Sequence, residues 1–242
     1  MYEIDVLFPG FPGKTDRCFL GWGSFALIRS EDRNVLLDSG GPQIRQMIPE
    51  LLAARGLAFS DIDMVLVSHL HYDHAYNLNL FPCAQIVLSL EEWHYANDLV
   101  HRDLSIDESA IMAVRNARVR FVTADDQQIA PGITAFLTPG HTPGSTSYLI
   151  ETKEGNVVFA GDALKNRSQW MHREGLPEGE AMSLKKIAKR GNVILPGHDG
   201  LLQLQKDGSV RSLGPVETQI ILPDGMTAND GQARLHIRLD DI

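Results

Sequence analysis

Residues 68–77 read SHLHYDHAYN, so three histidines and an aspartate crowd into six positions directly after the apolar run DIDMVLV. That junction constrains the fold more than any other feature of the chain. DIDMVLVSH has the apolar, β-branched character of a buried strand, which puts the polar cluster where the strand runs out. Four such groups buried without partners would be costly, which argues against ordinary core packing. A surface histidine tract is the simpler alternative, and it predicts nothing about the rest of the sequence.

The rest of the sequence repeats the construction. ITAFLTPGH ends an apolar run in a Pro-Gly turn and His141, NVVFAGD ends one in a glycine and Asp162, and NVILPGH ends one in Pro-Gly and His198. A glycine beside each of these groups permits a tight turn and close backbone approach. The chain has nine histidines, and five fall in these four places, which a surface tract does not explain. His94, His101 and His236 lack the strand-end context and read as ordinary surface or core residues. Alternate residues of an extended segment share a side. His69, His71 and Asp73 would then face one way, the chain must turn at His74, and AYNLNLF is expected to be a short helix after the turn.

Strand-like runs (EIDVLF, SFALIR, NVLLDSG, RVRFVTA, TSYLIET) interleave with helical ones (PQIRQMIPELLAARG, with Pro49 as a kink, then LEEWHYANDLV, DESAIMAVRNA and a stretch near 178–190). The interleaving predicts a layered α/β domain rather than a helical bundle. At 242 residues and 43% hydrophobic, the chain suits one large domain with a substantial core. Residues 1–200 carry all the strand-end groups. Residues 201–242 read as a β-rich C-terminal extension of the same domain, either prolonging a sheet, making a homodimer contact or simply covering a sheet edge. The net charge of −9 disfavours nucleic acid as a partner. Cys18 and Cys83 stand in no metal-binding spacing and suit a reducing cytoplasm. Neither a basic leader nor an apolar stretch of membrane-spanning length is visible, so no membrane association is expected.

The ordered set resembles the metallo-β-lactamase-fold superfamily, whose signature is His-x-His-x-Asp-His followed by a His, an Asp and a last His. His69, His71, Asp73, His74, His141, Asp162 and His198 match it. The resemblance implies an αββα sandwich: two mixed β-sheets face to face, helices outside, metals at the edge where the strand-end loops meet. It implies His69, His71 and His141 on one divalent ion, Asp73, His74 and His198 on a second, and Asp162 between them. The ions would be zinc, with iron or manganese as alternatives, sharing a hydroxide. Asp73 is the implied catalytic carboxylate, orienting water or carrying its proton. NVLLDSGG resembles the family's early Asp-x-Gly turn, with Asp38 as a hydrogen-bonding support rather than a ligand.

The implied function is a dinuclear hydrolase of a small ester, lactone, thioester or amide. The alternatives are a phosphodiesterase or ribonuclease of the same fold and a mononuclear iron oxygenase such as a persulfide dioxygenase. GDALK resembles the acyl-homoserine lactonases up to its leucine, then places Lys165 where those carry Tyr. HLHYDHAYNLNLFP and GDALKNRSQW are similar to the small single-domain metallo-β-lactamase-domain proteins of animals. For a small-molecule substrate, contacts are expected from Lys165 (to a carboxylate or oxyanion), from Phe11 in an aromatic flap with Phe8, and from Trp170 with His172. Residues 93–118 are a candidate helical lid, with Trp93, Tyr95 and Met112 read as core.

Overall fold

Strands β1 (Glu3–Phe8), β2 (Phe25–Arg29), β3 (Asn34–Leu37), β4 (Met64–Leu66), β5 (Gln85–Ser89) and β6 (Arg118–Val122) form one sheet in that order. The computed structural model that shows this describes residues 1–222 and 234–239. A second sheet takes the order β13-β12-β11-β10-β9-β8-β7, from β7 (Gln127–Ala130), β8 (Ile133–Leu137), β9 (Thr146–Thr152), β10 (Gly155–Gly161), β11 (Val193–Pro196), β12 (Leu202–Leu204) and β13 (Val210–Ser212). Both sheets are mixed. The first is antiparallel at β1–β2–β3 and parallel from β3 to β6, and the second is antiparallel except for the parallel pair β10–β11.

The period of two in the strands explains the layering. In β2, Phe25 and Leu27 enter one core while Ala26 and Ile28 enter another, and all are fully buried. The same split divides Leu36, Val65 and Ile86 from Val35, Leu37, Met64, Leu66 and Val87. The second set meets Ile133, Ala135, Tyr148, Ile150 and Phe159 of the other sheet, so the two sheets pack face to face. The first set is covered by α1 (Ile48–Ala53), α3 (Leu90–Leu99) and α4 (Glu108–Asn116), through Ile48, Leu52, Ala96, Ile111 and Val114. Beyond the second sheet, Phe136, Val158 and Ile194 pack against α5 (Arg167–Met171) and α6 (Glu178–Arg190). The result is the expected αββα sandwich. Each fully buried Leu or Phe contributes roughly 1.5–3 kcal/mol over its exposed state, which is why these strands read as near-continuous apolar runs.

Three local features differ from the sequence reading. Pro49 does not kink a long helix. The chain makes a separate 3-10 turn at Pro42–Ile44 and restarts at α1, with Pro49 in its first turn, where a missing N–H costs nothing. The short helix α2 is Tyr72–Ala75, inside the histidine motif, and only a 3-10 turn at Leu78–Leu80 follows. The tail divides: β12 and β13 complete the second sheet, whereas β14 (Val216–Ile221) and β15 (Arg234–Leu239) pair as a separate two-stranded antiparallel sheet. Residues 223–233 and 240–242 of that tail lie outside the described residues. No helix among the described residues is long and apolar enough to cross a membrane.

Topology gathers the strand-end groups. Strands β8, β10 and β11 run in one direction, because β8 and β10 each pair antiparallel with β9 and β11 pairs parallel with β10. Their following residues, His141, Asp162 and His198, therefore emerge at one edge. Thr146 N–H donates to Ser68 O at 2.9 Å, and the Tyr148 hydroxyl lies 2.9 Å from Val67 O, which locks the end of β4 against that edge.

Candidate metal centre

The first four groups leave β4 in two different conformations. His71 is extended (φ −69°, ψ 151°) and is the N-cap of α2, its carbonyl accepting from His74 and Ala75 N–H at 3.0 and 2.9 Å. The turn thus falls at Tyr72, two residues before the position that strand alternation predicts. Asp73 and His74 converge with His69 and His71 because they ride a helical turn.

Each of four imidazoles donates one ring N–H outward and so turns its other nitrogen inward. His69 Nδ1 lies 3.0 Å from Ser68 Oγ, His71 Nε2 lies 3.2 Å from Asp103 Oδ2, His74 Nδ1 lies 2.7 Å from Asp38 Oδ2, and His198 Nδ1 lies 3.0 Å from Trp22 O. Asp38 is a non-glycine residue with φ +56°, and this left-handed turn aims its carboxylate at His74 while it accepts from both the N–H and the hydroxyl of Ser68. The Asp199 carboxylate, beside His198, accepts a bidentate pair of bonds from the buried Arg167 guanidinium at 2.7 and 2.8 Å.

The inward atoms form three overlapping groups: His69, His71 and His141; His69, His74 and Asp162; and Asp73, His74 and His198. In each, the candidate ligand atoms lie within 4.8 Å of one another. Asp162 faces both ends, with Oδ1 3.2 Å from His74 Nε2 and 3.3 Å from His198 Nε2, and Oδ2 3.3 Å from His141 Nε2. His69 Nε2, His74 Nε2 and Asp162 Oδ1 are buried without a hydrogen-bond partner. His71 Nδ1 sits 3.0 Å from His141 Nε2, with no proton available from its own ring if Nε2 serves Asp103. Orphaned lone pairs facing one another are what a shared cation satisfies, and an imidazole and carboxylate donor set fits zinc or iron.

The electrostatics point the same way. Burial drives His69 well below the ordinary imidazole range and pushes His141 down to about 4, so both keep free lone pairs at neutral pH. Burial alone would raise Asp162, but the charges of His198 and His74 beside it hold it well below the carboxylate range. Burial opposes a charge on His74 too, and is outweighed by Asp73 and Asp162, which lift it well above the usual value. The protein alone recruits protons to where positive charge is wanted, and a metal ion would displace them.

A cleft of about 280 Å³ opens onto these groups. It is lined by His71, Asp73, His141, Asp162 and His198, by Pro12, Gly13, Phe19 and Gly21 on one wall, and by Tyr72, Ser105, Lys165 and Asn166 elsewhere. Lys165 is therefore on the cleft, but two other expected contacts are not. Phe11 is buried at the base of the 9–22 loop, its ring 5.0 Å from that of Trp22, and it exchanges backbone hydrogen bonds with Trp22. Phe8 also packs against Trp22, tilted, with ring centroids 5.3 Å apart, so these aromatics anchor the flap, and its exposed tip is Phe19. Trp170 is packed in the outer core, its indole N–H donating to Gly208 O at 3.0 Å, and His172 is turned back on Ser168 O. The 93–118 segment packs down on its sheet, with Trp93 and Tyr95 against the core and Met112 exposed. Only Ser105, in the connection from α3 to α4, lines the cleft. Phe19 carries a weak sequence signal: an apolar residue in a loop whose glycines and charges offer it no buried face.

Glu92, near the start of α3, gave no sequence signal. It is buried, and it accepts from Leu70 N–H at 2.9 Å and from the Thr142 hydroxyl at 2.5 Å. It thereby joins the His69–His71 segment to the His141 loop. Burial raises its carboxyl to about 7. The folded protein thus keeps a proton on Glu92 that the unfolded chain has lost, and folding stability falls as pH rises from about 4.5 towards 7, by up to ~3 kcal/mol. Glu92→Gln mimics the protonated acid. Denaturant melts of the metal-free protein at pH 5 and pH 8 should show a smaller loss for the variant than for the parent. Equal losses would mean that Glu92 does not hold that proton.

A family model described as the metallo-beta-lactamase superfamily matches residues 23–198. The chain is 32% identical over 214 residues to metallo-beta-lactamase domain-containing protein 1 of Xenopus laevis, covering 86% of this chain and 84% of the frog protein. The mouse protein of that name is 30% identical over 183 residues, and the match spans 74% of this chain but 64% of the mouse protein. An N-acyl homoserine lactonase of Bacillus thuringiensis is 26% identical over 205 residues, covering 72% of this chain and 79% of the lactonase. Among solved structures, a Thermotoga maritima protein superposes with a TM-score of 0.72 at 21% identity, covering 84% of this chain and 99% of that one. The dizinc quorum-quenching lactonase AidC, bound to a homoserine product, superposes at 0.64 and 19%, covering 79% of each chain. At these identities the superpositions speak for the fold.

Proposed function

Since this chain belongs to the metallo-beta-lactamase superfamily, we propose that it is a dinuclear metal-dependent hydrolase of a small carbonyl substrate: an ester, lactone, thioester or amide. One observation carries the reading. Two clusters of inward lone pairs share Asp162, whose two oxygens face opposite groups. In this reading His69, His71 and His141 hold one ion, Asp73, His74 and His198 hold the other, and Asp162 contributes to both. Zinc is the ion proposed, in keeping with the donor set and with a dizinc relative of the same fold. Bound there, the ions would supply an acidified water and polarise the substrate carbonyl.

The chain's own residues account for the rest. Asp73 Oδ2, 3.3 Å from His198 Nε2 and open to the cleft, orients the attacking water and passes its proton towards the leaving group. The Lys165 ammonium, whose charge reaches His141, faces the cleft and receives a substrate carboxylate or the oxyanion that develops on attack. Phe19 supplies an apolar wall for the other end of the substrate. Among the residues lining the cleft, Lys165 is the one Lys or Arg, a poor match for a polyanion, and the chain carries −9 overall, so we favour a small molecule over nucleic acid. Cys18 and Cys83 are both free thiols, in keeping with a cytoplasmic enzyme.

Metal analysis of the purified protein, followed by a panel of lactones, thioesters, β-lactams and phosphodiesters, tests the proposal. Two equivalents of metal and carbonyl hydrolysis that a chelator abolishes and added metal restores are expected. Turnover confined to phosphodiesters, or oxygen uptake with bound iron, would overturn it.

A further inference from the structure

We propose that Asp103, braced by Tyr95, is a positioning residue that fixes the ring of His71 and thereby sets the metal affinity of the three-histidine position alone. The proposal rests on the reading of His71 as a ligand. Asp103 lies in the connection between α3 and α4, 32 residues from His71 in sequence, and its Oδ2 is 3.2 Å from His71 Nε2. The same oxygen accepts from the Tyr95 hydroxyl at 2.6 Å, while Oδ1 accepts from Ser105 N–H at 2.9 Å. The carboxylate is thus held from both sides and cannot swing away from the imidazole. The connection is itself tied to the motif, because Tyr72 N–H donates to Ser105 O at 2.7 Å and His71 bridges to Ile106.

What separates His71 from its neighbours is the origin of this support. His69 leans on Ser68, His74 on Asp38 and His198 on Trp22 O, and none of these groups belongs to the α3–α4 connection. Asp103 touches none of Asp73, His74 and His198 in any hydrogen bond or ion pair among the described residues. A carboxylate accepting from the outer nitrogen of a ligand imidazole fixes its tautomer and orientation and makes the inner nitrogen a better donor. His71 must present Nδ1 inward, and a ring free to rotate about its Cβ–Cγ bond would lose that geometry.

Competition of the full-length protein with a chromophoric chelator for Zn²⁺ tests this. The parent should bind two ions. Asp103→Ala should weaken one of them about 10–100-fold and leave the other unchanged. The weakened position should be the one emptied in His141→Ala and not the one emptied in His198→Ala. Asp103→Asn, which still accepts from Nε2, should recover most of the affinity, and Tyr95→Phe should lose less than Asp103→Ala. Two unchanged affinities in Asp103→Ala, or equal weakening of both, would overturn the assignment. If Asp103→Ala does not fold, Tyr95→Phe takes its place: it should weaken the position emptied in His141→Ala and leave the other unchanged, and two unchanged affinities or equal weakening of both would overturn the assignment. A parent protein that binds a single ion would instead sink the dinuclear reading itself.

Discussion

Asp162→Asn should lower kcat/KM by at least about 1,000-fold, roughly 4 kcal/mol of transition-state stabilisation, with metal content falling below two equivalents. The size of the effect follows from where the residue sits. Its two oxygens address His74 and His198 on one side and His141 on the other, and Oδ1 has no hydrogen-bond partner of its own. The amide keeps the shape, but it removes the charge and turns an N–H towards one of the two clusters. Its carbonyl can serve only the other. Steady-state kinetics on the best substrate and elemental analysis of the same preparation give the answer. A variant that retains two ions and a rate within about tenfold of the parent would remove the shared carboxylate from the mechanism.

Gly197→Ala should be nearly as damaging, although the substitution adds one methyl group. A Cβ at Gly197 would lie 1.9 Å from Asp162 Oδ1 and 3.0 Å from the Gly161 carbonyl carbon. The backbone of β11 and the start of the Asp162 turn cannot both stay in place, because Gly161 holds φ +50° against Ser68. Overpacking of this kind costs about 1–3 kcal/mol. For a chain of this size that predicts a Tm roughly 2–12 °C lower. The same displacement moves Asp162 and His198, so metal uptake and activity should fall together with the Tm. A Gly197→Ala protein with parental Tm and parental metal content would show that the loop has slack that the geometry denies.

How much of this was legible beforehand depended on the range of the interaction. Alternating apolar strands and their glycine-marked ends are local signals, and they were enough for the sandwich and for the list of groups that the edge gathers. Sequence alone does not separate the routes by which Asp73 converges, because extended alternation and a helical turn beginning at Tyr72 both bring its carboxylate to the histidines. Phe11 and Trp170 leave the cleft for a different reason. An aromatic near a motif reads the same whether it lines a cleft or fills a core, and only the packing of Trp22 on Phe11 and of Gly208 O on the indole decides it. Glu92 and Asp103 could not be found at all. The contacts that tie them to the site span 22 to 50 residues, and a buried glutamate on a helix leaves no mark in a one-dimensional pattern.

The two sheets divide the site between them. The four groups of the motif belong to the half that ends with β6 at Val122, and His141, Asp162 and His198 belong to the half that begins with β7 at Gln127. The linker between the halves, residues 123–126, is an exposed turn apart from its pairing with Gln127, Lys186 and Arg190 side chains and Leu137 N–H. Neither half holds all the donors proposed for either ion. A chain cut in that turn would behave as a two-key lock, with metal capture reporting the moment its two fragments find each other.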